Sequence, residues 1–246
     1  MMTTKKRRRV RHDFVVVAAV GMLVTACGPP GARQLRQGEQ DIKDGRLDDA
    51  IVALQNATHI LADAPAPEQA KAWNLLGVAC QGSGQLDAAA KAYLRALKLD
   101  RNNAAIDYNL GCLRSQQTDF PAAIEYLTTY LTLHPRDAQG YLRRGTAYFH
   151  YALEPGNKEK GRFLEGARRD YEASERISAT ADAVNALGVL KLQGRSPGIE
   201  AIHAAETNFA LALSRDPHYV PALLNLAILY QQYLNNPRQA LKFYRE

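Results

Sequence analysis

Trp73-Asn74-Leu75-Leu76-Gly77, followed by Ala89, Tyr93 and Ala96, is the stretch on which the fold turns. Its pattern recurs. Gly77, Gly111 and Gly145 are separated by two steps of 34 residues, and Ala89 to Ala123 is a third such step. The copy after the first carries Leu110-Gly111, Ala123 and Pro135, and the next carries Tyr141, Gly145 and Tyr148. One period shared by several independent positions marks repeat units that cannot bury an apolar face alone and must stack. Looser copies flank these three. Gly38, Gly45, Ala50, Leu54 and Ala57 form one at the start. Ala167 and Tyr171 sit in a second helix reached through about ten extra residues around Glu154-Pro155-Gly156-Asn157. Leu187-Gly188, Ala205, Phe209, Ala212 and Pro217 make a fifth copy, with some five extra residues near Gly194. Leu226-Ala227, Tyr230, Ala240 and Tyr244 make a sixth, cut short at the end of the sequence.

The residue types follow from helix packing. Gly and Ala where two antiparallel helices cross let their axes approach to about 8–10 Å. Leu and aromatic side chains at spacings of three and four then fill one face. Pro135 and Pro217 lack an amide hydrogen and clash with a preceding carbonyl, so each is expected to end a second helix. Gly45, Gly84 and Gly194 stand where a first helix must turn into a second. The expected fold is all-α, an α-solenoid of about six helix-turn-helix repeats over residues 31–246.

This pattern resembles the tetratricopeptide repeat family, with its large aromatic early in the first helix, Leu-Gly at the middle and Ala at two points of the second. The resemblance implies a right-handed superhelix whose first helices line a groove that holds a protein or peptide partner. Transferred residue by residue, the groove positions are Asn74, Tyr108, Asn109, Gln116, Arg143, Phe149, Asn185 and Asn225. Amide side chains can both donate to and accept from an extended backbone, and Arg143 can take a carboxylate through two parallel hydrogen bonds. Some relatives clamp a C-terminal carboxylate with Lys and Asn side chains of successive repeats and a final Arg. Asn109 and Arg143 match two of those positions, but Asn74 and Val78 replace the first pair and Gln139 replaces a Lys. A general peptide groove is therefore expected, not a complete clamp. The segment with Lys158, Glu159, Lys160 and Arg162 reads as a charged solvated loop or a specificity loop.

Residues 1–26 are set apart from the array. A basic opening, Lys5, Lys6, Arg7, Arg8, Arg9 and Arg11, precedes an apolar run of eleven residues, 14–24. Such a run is too short for a hydrocarbon layer of roughly 30 Å but suits an export signal. Val24-Thr25-Ala26-Cys27 resembles a bacterial lipobox. That resemblance implies cleavage before Cys27, a lipid (palmitate included) on that residue, and a short tether over residues 27–30. Gly28 in place of Asp favours the outer membrane, facing the periplasm. The signal holds six of the 31 Lys+Arg and one of the 25 Asp+Glu, which leaves 25 and 24, a net charge of +1. The alkaline isoelectric point thus belongs to the signal, and the usual electrostatic hint of nucleic-acid binding disappears. Cys80 and Cys112 read as two small buried thiols, with a disulfide as the alternative in an oxidising compartment.

No constellation for catalysis is present: no HExxH, GxSxG, phosphate-binding glycine loop or paired CxxC. Glu200 and His203 share one helix face, but a di-iron site needs two such pairs and further carboxylates. No metal, cofactor or small-molecule substrate is expected. The leading expectation is a non-enzymatic, lipid-anchored scaffold of the bacterial cell envelope. Similar repeat lipoproteins serve pilus secretion or cell-wall enzymes. The alternative is the anchoring and regulatory part of a larger envelope enzyme that continues past residue 246.

Overall fold

The computed structural model describes residues 31–194 and 196–246. The lipidation site expected at Cys27 and its tether lie outside them. Twelve α-helices and no strand occur among the described residues. They are α1 (Ala32–Lys43), α2 (Leu47–Ile60), α3 (Ala66–Gly82), α4 (Leu86–Leu99), α5 (Ala104–Gln116) and α6 (Phe120–Leu133). Then follow α7 (Ala138–Leu153), α8 (Lys160–Ile177), α9 (Ala181–Lys191), α10 (Ile199–Arg215), α11 (Val220–Gln232) and α12 (Pro237–Arg245). They cluster into two compact units, one ending at Asn102 and the other beginning at Asn103.

Each helix pair is an antiparallel hairpin, and within each unit successive hairpins pack side by side. In the first unit α1 also touches α3; in the second α5 touches α7 and α9 touches α11. First helices therefore line up beside first helices, the arrangement of an α-solenoid. One contact explains the sequence period. A β-carbon added at Gly38 would lie closer than 3 Å to Leu54, at Gly77 to Tyr93, at Gly111 to Leu127, at Gly145 to Tyr171 and at Gly188 to Phe209. A missing side chain on the first helix admits a large one from the second, and its burial holds the hairpin together. Tyr93 and Phe209 are almost wholly buried as a result. In the second unit Phe209 belongs to a core with Ile202, Leu226 and Leu229, against which Tyr230 and Phe243 pack.

The local signals are equally plain. Asp119, Asp137, Thr180 and Asn236 each cap a helix by accepting a backbone amide hydrogen bond, at 3.3, 2.9, 3.5 and 3.1 Å. Gly45 and Gly84 adopt the left-handed φ values 74° and 79° that a tight first-to-second-helix turn demands. Thr118 takes the same conformation at φ 60°, although it carries a β-branched side chain. Pro135 and Pro217 each follow the end of a second helix as expected.

Gly194 stands between α9 and α10 as expected, without the left-handed φ of Gly45 and Gly84. One expectation is corrected: the extra residues of the fourth repeat do not form a long loop. Most extend the hairpin, so that Lys160 and Arg162 belong to α8 and only residues 154–159 are irregular. Helix formation continues there because the added turn has its own small core. Phe163 packs on Tyr151 with centroids 4.5 Å apart, and Asn157 caps the end of α7 by donating to the Tyr151 carbonyl at 2.7 Å.

Candidate protein-binding strip of the second unit

Seven of the eight groove positions read from the sequence lie in the second unit. Tyr108, Asn109 and Gln116 are on α5, Arg143 and Phe149 on α7, Asn185 on α9 and Asn225 on α11. All four are first helices of their hairpins. Asn74 lies apart from them, half-buried on α3 of the first unit.

The strip is built from α6 outward. Tyr130 donates its hydroxyl hydrogen to Asp137, the residue that also caps α7, and His134 stacks on its ring at 4.9 Å. Burial, reinforced by the Asp137 carboxylate, pushes the Tyr130 hydroxyl far above its usual range, so it stays a fixed donor. The ring so fixed meets Tyr108 at 5.0 Å and 57°. Tyr108 in turn lies beside the Arg143 guanidinium. Burial raises the Tyr108 hydroxyl, with the Cys112 thiol adding to the effect and Arg143 opposing it. The Cys112 thiol is likewise raised by burial, against the pull of Arg143 and Tyr108. At neutral pH the Arg143 cation thus stands beside a neutral hydroxyl and a neutral thiol.

The charge of Asp182, near the start of α9, reaches Arg143. Asp182 also accepts the Tyr219 hydroxyl at 2.8 Å. One turn on, Asn225 donates to Asn185 at 2.8 Å, joining α11 to α9. Phe149 is half-buried, edge-on to His150 at 5.5 Å, and His150 stacks on Phe120 at 5.6 Å. Gln116 is exposed at the end of α5 and Asn109 half-buried beside Tyr108. The structure thus brings Tyr108 beside Arg143 and joins Asn185 to Asn225 by a hydrogen bond. Asp182, Tyr130 and Tyr219 have no place in the sequence-based groove, and Cys112 reads there only as a small buried thiol. The same helix positions that pointed to Tyr108 could have supplied Asp182 and Cys112. Tyr130 and Tyr219 lie off the first helices, where no such signal exists.

Chemically the strip offers donors, acceptors and one exposed guanidinium. Arg144, next in sequence, points elsewhere: its guanidinium binds Asp170 through two hydrogen bonds of 2.7 and 2.8 Å and ties α7 to α8. His203 meets Glu206 at 3.2 Å. Among the described residues no group of three His, Cys, Asp or Glu side chains is placed to hold a metal ion. Cys80, in the first unit, and Cys112, in the second, are both free thiols.

Residues 70–103 match the family described as Tetratricopeptide repeat, and residues 108–150 match a second profile of the same description. These two segments are tetratricopeptide repeats. The matched segments span the clearest copies, and the small-against-large contact of Gly38 with Leu54 and of Gly188 with Phe209 carries the same hairpin to either side. Tetratricopeptide repeat folds of known structure are similar to this chain. Pseudomonas aeruginosa pilF aligns with a TM-score of 0.66 at 18% identity, over 87% of this chain and 88% of that one. A tetratricopeptide repeat protein from Parabacteroides merdae gives 0.68 at 18% identity, over 87% and 77%. YrrB, described as having an unusual peptide-binding site, gives 0.59 at 18% identity, over 83% and 96%. Among curated proteins, Peroxisome biogenesis protein 5 of Arabidopsis thaliana is 28% identical over 102 residues, 42% of this chain. That match spans only 13% of the relative's length. Tetratricopeptide repeats are protein-binding modules, and protein or peptide binding is the activity this fold supports.

Proposed function

We propose that the protein is a non-enzymatic scaffold of the bacterial cell envelope, anchored by lipid on Cys27, which binds a partner protein or peptide along the first helices of its second unit. The observation that carries this reading is the Tyr108–Arg143 contact. It presents an exposed guanidinium from a preorganised polar strip in a fold whose members bind proteins. A peptide would add its backbone to the amides of this strip and set a carboxylate on Arg143. The peptide-binding site described for YrrB is consistent with this use of the fold. The fold likeness to Pseudomonas aeruginosa pilF is consistent with a place in pilus or secretion machinery, as is the lipobox-like Val24-Thr25-Ala26-Cys27. Gly28, which follows Cys27 in place of an Asp, favours the outer membrane, facing the periplasm.

Crosslinking of the intact protein in its native envelope, followed by identification of the captured partner, tests the reading. An Asn109→Ala/Arg143→Ala variant should lose capture by about tenfold or more, the loss expected at a central contact. Unchanged capture would move the binding surface away from this strip. Cys27→Ala should abolish palmitate labelling and release the protein from the membrane; retention of both would end the lipid-anchor reading.

A further inference from the structure

Gly31, the first described residue, is buried at the start of α1. It takes a left-handed φ of 85°, and a β-carbon there would lie 2.7 Å from Leu61 and 3.4 Å from Ile60. Its carbonyl accepts the Leu35 amide at 2.9 Å, so the helix begins directly from this packed residue. Leu61 belongs to the core of the first unit with Ala57 and Ala72, against which Leu35 and Ala64 pack. Four residue steps separate Gly31 from Cys27, and even fully extended they span at most about 14 Å. A lipid on Cys27 would therefore keep the start of the first hairpin within about 14 Å of the lipidated residue.

The end of the hairpin beside Gly31 has two features that the fold itself does not require. Ile60 is 45% exposed at the end of α2, next to the buried Leu61. Arg33 and Arg36 are exposed on the first two turns of α1, whose first turn holds no acidic residue. Cations at a helix N-terminus oppose the helix dipole, so this placement costs stability in water. Neither arginine forms an ion pair among the described residues, whereas Lys71 and Glu39 further along the same unit do, at 2.7 Å. Near a surface of anionic phospholipid headgroups the sign reverses, and each cation gains from the surface potential. Asp63 and Glu68, in the following connection and the start of α3, are the exposed acidic residues that follow Ile60 in the chain.

We infer that this end of the first hairpin, with Arg33, Arg36 and Ile60, lies against the anionic phospholipid surface in which the Cys27 lipid is embedded. The inference rests on the lipid-anchor reading. The short tether sets the standoff, the arginines meet headgroup phosphates, and Ile60 reaches the interfacial layer. The first unit becomes a rigid foot, not a domain on a flexible leash.

Hydrogen exchange on the mature acylated protein tests it, comparing phosphatidylglycerol/phosphatidylethanolamine vesicles with detergent micelles. The amides of residues 32–34 should exchange about tenfold more slowly on the vesicles, because these first amides of α1 have no intrahelical acceptor and are otherwise open to water. A twenty-residue Gly/Ser spacer inserted between Pro30 and Gly31, or the Arg33→Gln/Arg36→Gln pair, should return them to the detergent rate. Equal rates in vesicles and micelles for a protein that carries palmitate on Cys27 would overturn the inference and leave the anchor standing. Absence of lipid on Cys27, read by mass spectrometry of the same sample, would overturn the anchor and the inference with it.

Discussion

Single residues set the hairpins in two opposite ways. At Gly77 the missing side chain is the point, since Tyr93 occupies its place. Gly77→Ala gains about 1 kcal/mol of helix propensity but overpacks the crossing by about 1–3 kcal/mol. The tyrosine is almost wholly buried and has nowhere to retreat, so a net loss is expected, measured as a lower urea midpoint. Thr118 shows the reverse. It holds φ 60° in a turn where Gly45 and Gly84 hold similar values without a side chain, and its β-branched carbon strains against its own backbone. Thr118→Gly should stabilise by about 1 kcal/mol, seen as a midpoint shift with unchanged slope. A neutral or destabilising result would mean that Thr118 makes an interaction worth its strain. The helical pattern and the reason for each glycine at a helix crossing were legible in the sequence. The 34-residue step from Gly84 places Thr118 in the same turn, but a β-branched side chain gives no sign of a left-handed backbone.

Hairpins differ in what fastens them. Most rely on the small-against-large crossing, but the α7–α8 hairpin adds the Arg144–Asp170 pair, with Asp170 only 7% exposed at its side chain. Arg144→Leu leaves that carboxylate buried without its cation and should cost about 3 kcal/mol in urea unfolding. Removing the carboxylate as well should restore most of the loss, since an uncompensated charge is costlier than an absent pair. In the first hairpin, buried Asp41 accepts Gln37 at 3.0 Å and Arg46 at 3.0 Å, and these two partners hold its carboxyl below the usual aspartate range. A carboxyl lowered on folding stabilises above its unfolded pKa of about 3.9, and the contribution is lost as pH falls through the folded value. Acid should therefore loosen the α1–α2 hairpin first. Faster amide exchange in residues 47–54 below about pH 4, abolished by Asp41→Asn, is the check. Both hairpins are legible in the sequence, whereas the fourth-repeat extension reads there as a loop. Charged residues such as Lys160 and Arg162 carry no mark that distinguishes a solvated loop from the outer face of a helix.

At the scale of the whole chain, the two units carry different parts of the proposed function. The first holds the lipid-proximal hairpin and Asn74; the second holds the strip that runs from Tyr108 to Asn225. Partner capture should therefore respond unequally to substitution. Asn74→Ala should change it by less than about twofold, while Arg143→Ala alone should reduce it about tenfold. Equal sensitivity would place the partner on both units. The sequence by itself determined the helix class, the repeat and most of the hairpin boundaries. These depend on local spacing, on Gly and Pro backbone chemistry and on capping residues a few positions apart. It also marked the first-helix faces, because a 34-residue period repeats a surface as faithfully as a core. Only the tertiary structure decided which side chains on those faces meet. Arg143 and Arg144 are adjacent and alike in sequence, yet one reaches Tyr108 across α5 and the other is consumed by Asp170 on α8. Adjacent residues point about 100° apart on a helix, so the partner of each is chosen by whichever helix packs on that side.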